Sequence, residues 1–170
     1  MKIIDQIFCD DIRFEQHNKI SLMGLYNDRI MFKIPPEKST NIKWPIPIRL
    51  SLFLRFSLGK EEVRPDRFEF NYVLNKQSQP LISGVIKVDQ ELTMFNLTMV
   101  TEGLALDLGI LGFNLKIYAG ELVLLSESKE DALRITRYQS SSRKALPSHR
   151  VGDRLLAVIK SSILLKPLKT

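Results

Sequence analysis

Residues 48–58 read Ile-Arg-Leu-Ser-Leu-Phe-Leu-Arg-Phe-Ser-Leu, and this stretch decides the fold class. Its apolar residues recur at every second position, and only Phe53 breaks the alternation. Because successive side chains of a strand point to opposite faces, a period of two predicts a strand with one buried and one solvent-facing side. Residues 67–74 repeat the pattern. The sequence therefore predicts two strong strands, and no convincing helical stripe precedes residue 150.

Weaker runs of the same kind lie on both sides of these two strands. Glycine at Ala119-Gly120 supplies the positive φ that a tight hairpin needs between two of the runs. About nine strands at roughly ten-residue spacing predict an all-β chain folded as an antiparallel β-sandwich, immunoglobulin-like or C2-like, with a barrel as the alternative. The further predicted strands are Lys2–Cys9, Lys19–Tyr26, Ile30–Ile34, Leu81–Val88, Leu92–Val100, Phe113–Ile117 and Glu121–Glu127.

The composition is that of one globular domain with an appendage. The chain has 170 residues, of which 44% are hydrophobic and 26% charged. Its single cysteine, Cys9, excludes an internal disulfide and a structural zinc site. No apolar run reaches the ~20 residues that span a bilayer, and Asp5 interrupts the N-terminus before a signal-like region develops. We therefore expect a cytoplasmic protein.

Positive charge is concentrated at the C-terminus. Residues 134–170 contain nine Lys and Arg against one acid, whereas the rest of the chain carries a small net negative charge. This asymmetry divides the chain into a predicted β-sandwich domain at 1–138, a Ser-rich basic linker at 139–150, and a basic amphipathic helix at 151–170. The cations expected to contact a partner are Arg143, Lys144, Arg150 and Arg154.

The apolar face of the predicted C-terminal helix is formed by Leu155, Leu156, Ile159 and Ile163. Three interpretations remain open for this tail. It packs back on its own domain, it docks on another protein or subunit as a helix in a groove, or it binds a polyanion, either an anionic membrane or a nucleic acid. The absence of aromatic residues after Tyr138 disfavours single-stranded nucleic acid, because bases would lack stacking partners.

Asp10, Asp11 and Glu15 are the candidate metal ligands. Carboxylate oxygens suit calcium or magnesium, and Asp28 or Asp66 would have to complete such a site. The simpler interpretation is a strand end whose acids cap turn amides. Another candidate, Trp44, precedes Pro45-Ile46-Pro47 and either caps one end of the sandwich or anchors a partner.

Catalytic motifs are absent from the sequence. It contains no phosphate-binding loop, dinucleotide fingerprint, HExxH zinc motif or GxSxG nucleophile elbow. Cys9 and His17 would form a nucleophile pair only if the fold brought them within hydrogen-bond distance. The alternation indicates instead that Cys9 is a small buried residue. We expect no enzymatic activity and no cofactor.

Residues 8–26 read FCDDIRFEQHNKISLMGLY. This stretch resembles the opening signature of a bacterial family of uncharacterised small proteins, a domain of unknown function. Where that pattern has glycine before the lysine, this chain has Asn18, which also tolerates a left-handed turn. The resemblance implies a cytoplasmic β-sandwich and transfers no activity or site residues. The matching residues are Phe8, Cys9, Asp10, Asp11, Ile12, Arg13, Glu15, Lys19, Ser21, Leu22, Gly24 and Tyr26.

Together these observations predict a non-enzymatic binding or assembly module. It would engage a protein partner, or a second copy of itself, through the surface of the sandwich and the basic tail. Two alternatives remain from the sequence. One is a metal-dependent enzyme or calcium-responsive domain built on Asp10, Asp11 and Glu15, and the other is polyanion binding through the tail.

Overall fold

The computed structural model describes residues 1–34 and 42–139, which form ten strands and one short 3₁₀ turn at Gln16–Asn18. The described part of the chain is therefore all-β, as predicted. None of it forms a helix long and apolar enough to cross a membrane. The strands are β1 (Lys2–Phe14), β2 (Ile20–Tyr26), β3 (Arg29–Ile34), β4 (Ile46–Ser57), β5 (Arg67–Leu74), β6 (Gln77–Ser78), β7 (Ile82–Val85), β8 (Met94–Leu106), β9 (Gly109–Ala119) and β10 (Leu122–Gln139).

The strands form two sheets. Sheet A has four strands in the order β2-β1-β4-β8, and every pair is antiparallel. Sheet B has the order β3-β10-β9-β5-β6, and β7 also pairs with β5. Its β3–β10 pair is parallel, which corrects the expectation of a wholly antiparallel arrangement. This parallel pair joins strands that are far apart in the sequence, so the local hydrophobic pattern of either strand does not predict it.

One hydrophobic cluster receives buried side chains from both sheets. In sheet A, the alternate residues Leu50, Leu52, Leu54 and Phe56 of β4 are fully buried. Sheet B contributes residues of β5 and β9 that are equally inaccessible to solvent. The ring centroids of Phe8 in β1 and Phe113 in β9 lie 6.4 Å apart. The period of two in residues 48–58 therefore marks the side of β4 that forms this core.

A second, smaller cluster involves Phe53, the residue that breaks the alternation. Phe53 is 3% exposed and groups with Cys9 and Ile12 of β1. The guanidinium of Arg55 lies 5.4 Å from the centre of its ring. An apolar residue on the other side of β4 is thus shielded from water as well, which explains why the sequence tolerates it there.

Four strands are several residues longer than predicted. β1 continues to Phe14, β8 to Leu106 and β10 to Gln139, and β9 extends from Gly109 to Ala119. In β10 the register with β9 shifts between Lys129 and Leu133, so the strand bulges and its alternation is lost. Gly112 lies opposite this bulge, and a side chain there would meet the Lys129 carbonyl oxygen at 2.2 Å.

The other boundaries differ in smaller ways. The predicted strand Leu81–Val88 is only four residues long, as β7, and the short β6 was not predicted. β10 ends at Gln139, one residue beyond the predicted end of the domain. The predicted linker and C-terminal helix lie outside the described residues.

Replacing a core leucine tests this assignment of the buried face. Leu52→Ala should lower the free energy of unfolding by about 2–5 kcal/mol, because it removes buried methyl groups and leaves a cavity. Val123→Ala is the control, since Val123 is 49% exposed, and should cost less than about 1 kcal/mol. Urea unfolding of the two variants measures both values. Equal losses would contradict the proposed core.

Candidate binding surface

The β1–β2 hairpin contains residues 8–26, and the Asp10 side chain accepts a hydrogen bond inside this hairpin. The Tyr26 hydroxyl donates a hydrogen bond to the Asp10 carboxylate. Partial burial, with the carboxylate as a second cause, raises the pKa of Tyr26 above its usual range, so the phenol remains a donor at neutral pH. Asp10 therefore orients the end of β2 against β1.

Gly24 provides the space for this contact. It has a φ of +66°, and a side chain there would place its Cβ 2.0 Å from the Asp10 carboxylate. Glycine is the residue that adopts this backbone angle without a steric penalty. The glycine of the signature thus has a structural explanation in the packing of Asp10.

Asp11 belongs to a different set of contacts, which crosses sheet A. Its carboxylate lies 2.7 Å from Arg49 of β4 and 3.2 Å from Arg13. Arg49 in turn lies 3.8 Å from Glu102 of β8. The hydrogen bond from Arg13, followed by the positive charge of Arg49, lowers the pKa of Asp11. The result is a line of ion pairs across three strands.

The three candidate metal ligands are not brought together. Asp10 binds Tyr26, Asp11 binds two arginines, and Glu15 accepts a hydrogen bond from the Ser21 hydroxyl. Successive residues of a strand face opposite sides, so the adjacent aspartates diverge. Within 1–34 and 42–139, no group of three or more His, Cys, Asp or Glu side chains is arranged to hold a metal ion.

The two carboxylates considered as further ligands are also engaged elsewhere. Asp28 pairs with Arg29 at 2.8 Å. Asp66 accepts a hydrogen bond from the backbone N–H of Gly120 at 2.6 Å, which fixes the β9–β10 hairpin. Each carboxylate thus serves the local structure of its own loop.

Cys9 and His17 occupy different environments. Cys9 is fully buried in β1, and burial raises the pKa of its thiol, which disfavours the reactive thiolate. His17 is exposed in the turn that follows β1. The sequence-based interpretation of Cys9 as a buried residue agrees with this placement.

Trp44 is half-buried and packs edge-on against Phe32 of β3, with ring centroids 5.4 Å apart. The Trp44–Pro45 peptide bond is cis. The other predicted partner-binding residues lie outside the described part of the chain. They are Arg143, Lys144, Arg150, Arg154, Leu155, Ile159 and Ile163.

Three large apolar side chains are exposed around β2, which is an edge strand of sheet A. Phe14, at the end of β1, is 70% exposed, while Met23 and Leu25 of β2 are 43% and 58% exposed. Within residues 1–34 and 42–139, no strand pairs with the outer edge of β2, and we call this edge with these three side chains the β2 surface. Sequence analysis missed it, because strand order decides which strand is an edge. The available signal was that residues 20–26 contain no charge.

A groove of about 850 Å³ lies in sheet B, lined by side chains of β5, β6, β9 and β10 and of the turn between β5 and β6. Asn75 in its wall donates to the Leu108 carbonyl at 2.8 Å and accepts from the Ile110 N–H at 2.9 Å. Asn114 accepts from the Ser128 hydroxyl at 2.7 Å. These amide groups are occupied in holding strands together, so the β2 surface is the stronger candidate.

Comparison with known proteins adds no assignment. No protein-family model matches the chain, and no curated protein matches it either. The interpretation of the β2 surface therefore depends on its own geometry and chemistry.

Two glycines with positive φ provide a matched test of the Asp10 contact. Gly24→Ala should destabilise the protein by about 1 kcal/mol or more beyond Gly103→Ala, since both strain the backbone but the space beside Gly103 is open. In an Asp10→Ala background the difference should shrink, because the clashing group is gone. Thermal or urea unfolding measures it. An unchanged difference would show that Asp10 is not the cause.

The pH dependence of stability tests the Asp11 ion pairs. A lowered pKa in the folded state means that Asp11 contributes stability above its unfolded value of about 3.9 and loses that contribution as the pH falls toward the folded value. Asp11→Asn should therefore lose stability less steeply than the native chain in this acid range. Urea midpoints across the range measure the slopes. High salt should reduce the contrast, because the partners are exposed. Identical slopes at low salt would contradict the ion-pair account.

Proposed function

We propose that this protein is a non-enzymatic binding or assembly module, which engages a protein partner through the β2 surface and the basic C-terminal tail. The observation that carries the proposal is the exposure of Phe14, Met23 and Leu25 around one uncharged edge strand. Met23 and Leu25 lie on one side of β2, and Phe14, which is opposite Ile20, faces the other side of the same edge. Exposed apolar groups that are neighbours on a folded domain, as Met23 and Leu25 are, are typical of interaction sites. Apolar residues bordered by charged ones also resemble the core and rim of a protein interface.

The scaffold in this proposal is a β-sandwich with immunoglobulin-like or C2-like topology, formed by sheets A and B. Two contacts between the sheets support it. One is the Phe8–Phe113 packing, and the other is the hydrogen bond from the Lys129 ammonium to the Gln6 side-chain oxygen at 3.2 Å. A rigid scaffold limits the entropy lost on binding, which favours a preformed surface.

The tail contributes charge in this proposal. Residues 139–170 contain seven Lys and Arg against one acid, and this charge would attract an acidic protein surface and accelerate encounter. A cytoplasmic location and membership in the bacterial family that residues 8–26 resemble belong to the same proposal. The carboxylates of the metal-dependent alternative are bonded to Tyr26, Ser21 and arginines, so the observed contacts favour the binding module over it.

Affinity capture with the tagged full chain tests the proposal. Leu25→Lys should abolish capture of a specific protein, because it places a charge in the apolar contact. Val85→Lys should leave capture intact, since Val85 is 78% exposed but lies on β7 in sheet B. Quantitative mass spectrometry compares the two variants with the native chain. Equal capture by all three would reject the β2 surface as the binding site.

A tail variant with alanine at Arg143, Lys144, Arg150 and Arg154 completes the test. Protein docking through both elements predicts weaker capture of the same protein. Polyanion binding predicts instead that the captured species is nucleic acid or anionic lipid, with an affinity that falls steeply as salt rises. That second result would replace the proposed function with the polyanion alternative.

A further inference from the structure

The outer edge of β2 has backbone groups directed away from β1. The Glu15 N–H donates to the Lys19 carbonyl at 2.9 Å, next to the β1–β2 ladder, and Arg13 pairs with Ser21. Hydrogen-bonded and non-hydrogen-bonded pairs alternate in an antiparallel ladder. The backbone groups of Ser21 therefore bond to β1, and those of Ile20 and Leu22 point outward.

An edge of this kind is normally protected. Proteins protect exposed edges with charged side chains, proline or strong bulges, because unpaired N–H and C=O groups are a template for another strand. β2 carries neither charge nor proline from Ile20 to Tyr26. β3, one edge of sheet B, carries Arg29 and Lys33, so two copies of β3 would bring cations together. The other edge of sheet B consists of the short strands β6 and β7, of two and four residues. β2 lacks that obstacle to self-pairing.

The ends of β2 favour an antiparallel pair of identical strands. Lys19 precedes the strand, and Asp28 follows it after Asn27, in an ion pair with Arg29 at 2.8 Å. A two-fold axis runs two copies of β2 in opposite directions, so the Lys19 end of each approaches the Asp28 end of the other. A parallel pair would instead bring the two Lys19 side chains together. Met23 and Leu25 of the two copies would add apolar contact beside the new ladder.

We propose that β2 pairs antiparallel with β2 of a second copy of this chain, which joins two A sheets into one continuous eight-stranded sheet. This inference rests on the proposed function, because it names the partner of the β2 surface. Main-chain hydrogen bonds would provide the affinity, as in other cases of strand addition to a sheet edge.

The test is the molar mass of the full chain in solution, measured by light scattering over a dilution series. The native chain should form a dimer that dissociates on dilution. Met23→Lys should raise the dissociation constant at least roughly tenfold, because two lysines would then approach each other at the edge. A monomeric native chain at the highest soluble concentration would overturn the inference.

Two matched controls locate the interface. Val100→Lys lies on β8, the opposite edge of sheet A, at 42% exposure compared with 43% for Met23. Met31→Lys lies on β3 at 50% exposure. Both should remain dimeric. A dimer that is weakened by Val100→Lys or Met31→Lys and not by Met23→Lys would place the interface elsewhere and overturn the inference.

Separate measurements distinguish a folding defect from a lost interface and identify the partner. The near-ultraviolet circular dichroism of Met23→Lys checks its tertiary structure, and Leu25→Lys serves as the second edge variant if that signal is lost. A native chain that is monomeric but captures a different protein through Leu25 would leave the proposed function intact and overturn only the second copy. Loss of both dimer and capture would reject the two together.

Discussion

The pairing of β4 with its two neighbours is the constraint on which the rest of the structure depends. Its residues Leu50, Leu52, Leu54 and Phe56 are fully buried in the core shared by both sheets. β1 pairs along one edge of β4 and β8 along the other, and β1 then holds β2 at the outside of the sheet. A slip of one residue would turn these side chains away from the core, so burial fixes the register and with it the position of the β2 surface.

The alternation of apolar and polar residues was sufficient to predict those strands that have one buried face and one solvent-exposed face. This condition holds for β4 and β5, and residues 48–58 and 67–74 predicted both strands. It fails in β10, because the bulge after Lys129 breaks the alternation, and the predicted strand stopped at Glu127. The parallel β3–β10 pair was also beyond prediction, since it joins segments about a hundred residues apart in the sequence.

The candidate site was harder to predict than the fold. Asp10, Asp11 and Glu15 are close in sequence, but strand geometry gives each of them different partners. Gly24 was one of the residues that matched the family pattern, but the sequence did not explain why glycine is needed there. The structure explains it, because a side chain at this position would collide with the Asp10 carboxylate. The exposure of Met23 and Leu25 follows from the place of β2 at the end of sheet A, which is a property of the topology rather than of residues 20–26.

Hydrogen exchange of single amides in β2, followed by NMR, tests most directly whether its outer edge is an open pairing edge. In dilute protein the Leu22 amide should exchange rapidly, while the Ser21 amide, bonded to β1, should be protected. In concentrated protein Leu22 should become protected and Ser21 should change little. A Leu22 amide that is protected at every dilution would show that the chain already occupies this edge. One that exchanges rapidly at every concentration would show that no second copy binds there.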